Sequence, residues 1–256
     1  MNFLSLISVE LKKIKHSKIL IILFTAAIIL WIPSIINSDM NFNMQAEGIS
    51  PENNFFIQGF MGMAWFMFPA SMVVCTVLLN QTERTNNGIL KMLALPINTK
   101  NLCMAKFIVL LILAASQILI MTCMYYISAA ISSATQNYDF ILSPLFVLKE
   151  VGLIALSSIP MIAFFWLLSV CIHTPVFSIG IGMASIVPSV LIINTKIWFA
   201  YPISYQFFVI TSEYGKLAKN LGTTTIKLIP WIPIAIIITI ICLSLSCFCF
   251  GKAERK

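Results

Sequence analysis

Apolar residues fall into runs of about 20, the length a helix needs to cross the hydrocarbon of a bilayer, and short polar stretches separate them. The runs cover residues 19–36, 55–79, 107–134, 146–172, 176–193 and 226–250, and each predicts a transmembrane helix. Trp31 and Pro33 stand near the end of the first run, and Pro69 is expected to bend the second, which is rich in Phe and Met. Gln117, Thr122 and Ser128 interrupt the third, where Gln117 is costly in hydrocarbon unless it faces another helix. Ser178, Gly180, Gly182, Ala184 and Ser185 make the fifth run small-sided, which predicts a close helix contact.

The stretches outside these runs have patterns of their own. In 1–18, Phe3, Ile7, Leu11 and Ile14 recur at helical spacing and the charges follow them, the reverse of a cleavable signal peptide. This predicts an amphipathic helix on the inner membrane face, with Lys12, Lys13, Lys15 and Lys18 holding it there and His16 as one more interfacial group. Residues 194–225 are basic at Lys196, Lys216 and Lys219, and 198–210 is an apolar segment broken by Pro202. It is too short to span and suits a re-entrant or interfacial hairpin.

Charge sets the expected orientation. With both termini inside, eleven Lys and Arg (Lys12, Lys13, Lys15, Lys18, Arg84, Lys91, Lys100, Lys106, Lys252, Arg255, Lys256) face three acids on the inner side, against five and six outside. The outer loop after the first span carries only acids, Asp39, Glu47 and Glu52, and is either an ordinary solvated loop or a surface that attracts a cationic peptide. Lys149 and Glu150 sit at the outer edge of the fourth span, where Lys149 can snorkel.

Composition narrows the function. Hydrophobic residues make up 59% and charged residues 10%, far from the roughly 25% charged residues of a soluble domain. The net charge of +7 lies beside apolar runs, not along one stripe, which argues against nucleic-acid binding. Six of the seven cysteines lie in apolar runs, and Cys247 and Cys249 have no His or acid near them in sequence to complete a metal site. Gly180–Ser185 (GIGMAS) is no phosphate loop, since no strand precedes it and no lysine follows. An intramembrane enzyme needs ionisable groups at mid-membrane depth, and a secondary transporter or channel usually shows them too. Neither histidine is central to a span, and no catalytic residue is assigned.

The longest polar interruption with excess positive charge is 80–106, NQTERTNNGILKMLALPINTKNLCMAK. Ile89, Leu90, Met92, Leu93 and Leu95 form a short apolar run that Pro96 cannot continue, and Asn98 or Thr99 offers an N-cap for the next helix. An apolar tip on a cytosolic loop is either an interface or an interfacial helix on headgroups.

Glu83, Gly88, Lys91, Pro96 and Lys106, leading into a span, resemble the permease subunits of ABC-2 type exporters, in particular those that give bacteria immunity to lantibiotics. The resemblance extends over nearly the whole chain in length and span count. It implies an all-α integral membrane protein of six transmembrane helices, with an amphipathic N-terminal helix and a re-entrant hairpin between helices 5 and 6. It implies that the loop is a coupling helix docking on an ATP-binding subunit, through Glu83, Arg84, Gly88, Leu90, Lys91, Leu93 and Pro96. It also implies two copies of that subunit and a second permease, identical or homologous. No G-x-x-x-x-G-K-[ST] occurs, so ATP and Mg are expected on the partner and no cofactor or metal here. The expected activity is expulsion of an amphipathic antimicrobial peptide from the bacterial plasma membrane; the alternatives are another amphiphile, such as a bacitracin-like drug or a lipid, or a non-ABC transporter or channel. Phe60, Met63, Phe66, Met67 and Gln117 are the candidates for facing the substrate.

Overall fold

The structure, a computed structural model, describes residues 3–15, 17–43, 48–84, 98–218 and 228–253. The described residues are helical apart from turns and short connections. The helices are α1 (Phe3–Lys15), α2 (Ile19–Ile36), α3 (Met40–Asn43), α4 (Pro51–Gly62), α5 (Phe68–Arg84), α6 (Thr99–Gln136), α7 (Pro144–Cys171), α8 (Pro175–Ile186), α9 (Pro188–Ile192), α10 (Tyr205–Leu217) and α11 (Leu228–Ala253). A π-helical turn, Met63–Met67, joins α4 to α5. Among the described residues, six segments are long and apolar enough to cross a membrane: α2, α4 through α5, α6, α7, α8 with α9, and α11. The chain is an all-α integral membrane protein.

Several boundaries follow from local chemistry. Asn98 caps α6 as the sequence predicts, its side chain accepting from the Lys100 N–H at 3.0 Å, so the helix starts at Thr99, two turns ahead of the apolar run at 107–134. Pro144, Pro175 and Pro188 occupy first turns, where a missing N–H costs nothing. Pro69, by contrast, lies inside a span, and the wide turn at Met63–Met67 just ahead of it gives room for the carbonyls its ring would crowd.

One residue organises the packing of the first two spans. α2 buries Ile19, Leu23, Ala27 and Trp31 along one stripe and leaves the rest of its surface half-buried or exposed. Trp31 is only 1% exposed, so it is a core residue and not an interfacial anchor. Its ring lies 5.9 Å from both Phe55 and Phe60 and 5.7 Å from Tyr125, which draws α2, α4 and α6 together. Gly59 makes this possible, since a Cβ there would sit 2.5 Å from the Trp31 ring. The small-sided fifth span behaves as its sequence predicts: Ser178 and Gly182 are buried, and a Cβ on Gly182 would meet Val73 of α5 at 2.7 Å.

The contacts also sort the ends of the bundle. Asn80 with Ser169, and Trp166 with Phe250, bring the ends of α5, α7 and α11 together, and Leu79 of α5 lines a small pocket with Glu10 and Ile14 of α1. Gln136 with Ser38, and Tyr138 with Glu52, gather the opposite ends.

Gly59→Ala and Gly182→Ala should each lower stability by about 1–3 kcal/mol, the usual cost of overpacking. Gly180→Ala, where a Cβ meets nothing within 4 Å, should not lower it. Thermal unfolding in detergent separates the two groups.

Candidate functional site

At the end where α1 lies, the predicted coupling loop is framed by two anchored helices. Glu83 and Arg84 belong to the last turn of α5; Gly88, Leu90, Lys91, Leu93 and Pro96 lie outside the described residues. On the far side of the loop, Lys106 is buried in α6 and not exposed at a loop edge. Its Nζ donates to Glu10 Oε2 at 2.8 Å, and Lys13 Nζ donates to Glu10 Oε1 at 2.6 Å. α1 therefore turns Leu6, Glu10 and Ile14 into the bundle while Phe3 is exposed, so its inward face is rotated from the predicted Phe3–Ile7–Leu11–Ile14 stripe. Ile7 and Leu11 are partly buried at the edge of that face. Sequence reasoning missed Glu10, although it is the sole acid before Asp39 and stands three residues from Lys13.

The other side of the loop is tied as firmly. Asn80 Nδ2 donates to Ser169 Oγ, which in turn donates to the Thr76 carbonyl at 3.0 Å, so α5 and α7 share a buried polar bridge where the loop begins. Trp166 Nε1 donates to Cys103 Sγ at 3.4 Å, and the Trp166 ring stacks on Phe250. A force on the loop would thus act on α1, α5, α6, α7 and α11 together.

At the opposite end the chain re-enters the bundle. After α9, two 3-10 turns at Trp198–Ala200 and Pro202–Ser204 lead to Tyr205, and α10 climbs back out. Tyr205 shares a groove with Ser157, Pro160 and Trp231, and Phe207 lies 6.4 Å from Trp65, so the turn reaches the middle of α7 and of the second span. Aromatic packing holds it: Trp198 stacks on Phe208 at 3.6 Å and lies 5.6 Å from Trp231. Tyr205 Oη donates to the Phe199 carbonyl at 2.5 Å, and Tyr201 Oη to the Ser185 carbonyl. The outgoing limb carries Glu213, paired with Lys216 at 2.8 Å; Lys149 pairs with Glu150 at 3.1 Å on the adjacent α7. Lys149 is exposed, as expected of a snorkelling lysine, but Glu150 is enclosed and not solvated at a span edge.

The candidates for facing the substrate divide. Phe66, with its neighbour Trp65, is exposed on the π-helical turn beside α10, and Met67 is half-buried. Phe60 and Met63 are enclosed in the core, Phe60 lying 4.5 Å from Phe56. Gln117 is also enclosed and faces α5, where its Nε2 donates to Ser71 Oγ at 2.8 Å. Of the outer acids, Asp39 is exposed and Glu47 lies outside the described residues. Glu52 accepts the Tyr138 hydroxyl, and that carboxylate pushes the phenol up to about 12.

Six membrane-length helices among the described residues, with a further short helix between the last two, define a polytopic membrane protein. A family profile described as ABC-2 family transporter protein matches residues 6–189, well over half the chain. No curated protein and no solved structure matches it. The chain belongs to the ABC-2 transporter family: it is a multi-pass membrane permease of an ABC exporter, whose ATP-binding partner hydrolyses ATP.

Lys106→Met should destabilise the protein by about 3–5 kcal/mol, because it leaves the Glu10 carboxylate buried without its buried partner. The double variant Glu10→Leu/Lys106→Met should recover most of that loss. A double-mutant cycle on thermal unfolding measures both; additive losses would mean that the two residues do not act as a pair.

Proposed function

We propose that this permease expels a cationic, amphipathic antimicrobial peptide of the lantibiotic type from the plasma membrane of a bacterium and so protects the cell that carries it. The observation that carries the reading is the exposed apolar wall at Trp65 and Phe66, set on a π-helical turn beside the re-entrant helix. Such turns are frequent at functional sites, and a peptide already partitioned into lipid needs an adaptable apolar surface more than a charged one. Both termini and α1 lie in the cytosol in this reading, by the distribution of Lys and Arg, and the acidic Asp39 attracts the cationic peptide outside.

Two ATP-binding subunits and a second permease, identical or homologous, complete the assembly. The loop at 80–106 docks on the ATP-binding subunit, with Leu90 and Leu93 giving apolar contact, each about 1.5–3 kcal/mol if fully buried, and Glu83 or Lys91 setting the orientation. The anchored ends of α5 and α6 carry the motion to the spans.

Leu90→Asp/Leu93→Asp should abolish both copurification of the ATP-binding subunit and peptide-stimulated ATPase while membrane insertion persists; unchanged stimulation would remove the loop from coupling. Expressed in a sensitive host, the complete complex should raise the inhibitory concentration of lantibiotics and lower the peptide bound to cells. Resistance without that fall would replace expulsion by sequestration or signalling. Protection against bacitracin alone would point to a different amphiphile.

A further inference from the structure

Between α2 and α4, at the end of the bundle away from α1, lies a cavity of about 420 Å3. Ser34, Asn37, Asn41, Asn54 and Gln58 give it hydrogen-bonding walls, and Phe55 gives it an apolar one. No charged side chain lines it among the described residues.

The amides are not free to choose their orientation. Asn41 Nδ2 donates to the Ser38 carbonyl at 3.0 Å, which turns its Oδ1 toward Asn54, and Asn54 Nδ2 donates to that oxygen at 2.9 Å. Because a main-chain carbonyl only accepts, the series starts from a fixed donor and leaves Asn54 Oδ1 as an acceptor. Asn54 is 3% exposed, and this oxygen has no partner among the described residues. Asn37 is fixed in the same way, its Nδ2 donating to the Pro33 carbonyl at 3.0 Å, so its Oδ1 is a second acceptor at the rim. A buried acceptor without a donor costs about 1–3 kcal/mol, which a bound N–H would offset.

We propose that this cavity binds the main chain of a peptide as it leaves or approaches the membrane, N–H groups donating to Asn54 Oδ1 and Asn37 Oδ1 and a carbonyl accepting from Gln58 Nε2. This rests on the peptide reading above and gives it a recognition site. A carboxamide matches a peptide group in both donor and acceptor, so neutral amides read a peptide backbone whatever its side chains. A phospholipid fits worse, because its phosphate finds no cation on the wall. Met40, 47% exposed at the cavity, provides apolar contact for a side chain of the peptide.

The test uses the complete transport complex in phosphatidylglycerol–phosphatidylethanolamine vesicles, with nisin as the probe peptide. Asn37→Leu/Gln58→Leu changes only exposed side chains and so keeps the fold, and Asn54→Leu removes the buried acceptor. Each should raise the nisin concentration for half-maximal ATPase stimulation at least tenfold, and benzoylphenylalanine at position 40 should crosslink nisin. Wild-type stimulation with no shift in Asn37→Leu/Gln58→Leu, or crosslinks to lipid alone, would overturn the cavity while leaving peptide export standing. Absence of nisin stimulation in the wild-type complex would overturn both.

Discussion

The buried ion pair of Glu10 and Lys106 constrains how the rest of the bundle meets its loop. Removing two charges from water costs several kcal/mol per ion, and only close geometry with further hydrogen bonds offsets it. Here the carboxylate receives Lys106 on one oxygen and Lys13 on the other. A helix held this way cannot rotate on its axis or slide along the membrane without stranding a charge. α1 is therefore a fixed part of the bundle, and through Lys106 it fixes the first turns of α6, directly after the loop. The Asn80–Ser169 bridge does the same for α5 on the other side.

The opposite half is joined across helices mainly by rings. Trp31 fills the space above Gly59 and joins three helices, while Trp198, Phe208, Tyr205 and Trp231 lock the re-entrant turn against the start of α11. Aromatic side chains suit this place, since they bury large areas with few rotatable bonds and can spend a hydroxyl on a nearby carbonyl. Tyr201 and Tyr205 do so: Tyr205 satisfies the Phe199 carbonyl within the irregular segment, and Tyr201 ties that segment to the Ser185 carbonyl in the last turn of α8. That is the condition for non-helical backbone at membrane depth. The same packing brings Phe207 against Trp65 and leaves the outer surface of the π-helical turn uncovered.

Much of this was legible in the sequence because hydrocarbon imposes a strong local rule. A run of about 20 apolar residues has one low-energy option in a bilayer, a helix that satisfies its own backbone. The six spans, the N-cap at Asn98, the tight contact of Gly182 and the non-spanning segment at 198–210 all follow from residues close together in the chain. Hydropathy was silent, however, on which face of each helix turns inward, because lipid and protein interior are almost equally apolar. Phe60 and Met63 went to the core and Phe66 to the surface although all share one Phe- and Met-rich run.

Sequence alone thus determined the membrane class, the number of crossings and the place of the loop, each a matter of local composition. Only the tertiary structure decided that Glu10 meets Lys106, ninety-six positions away, that Trp31 is core and that Asn54 retains a buried acceptor beside a cavity. Such facts depend on which polar groups happen to face one another across helices. In a medium where every unmatched polar group is costly, those pairings and not the apolar majority select one packing from the many that hydrophobicity would allow.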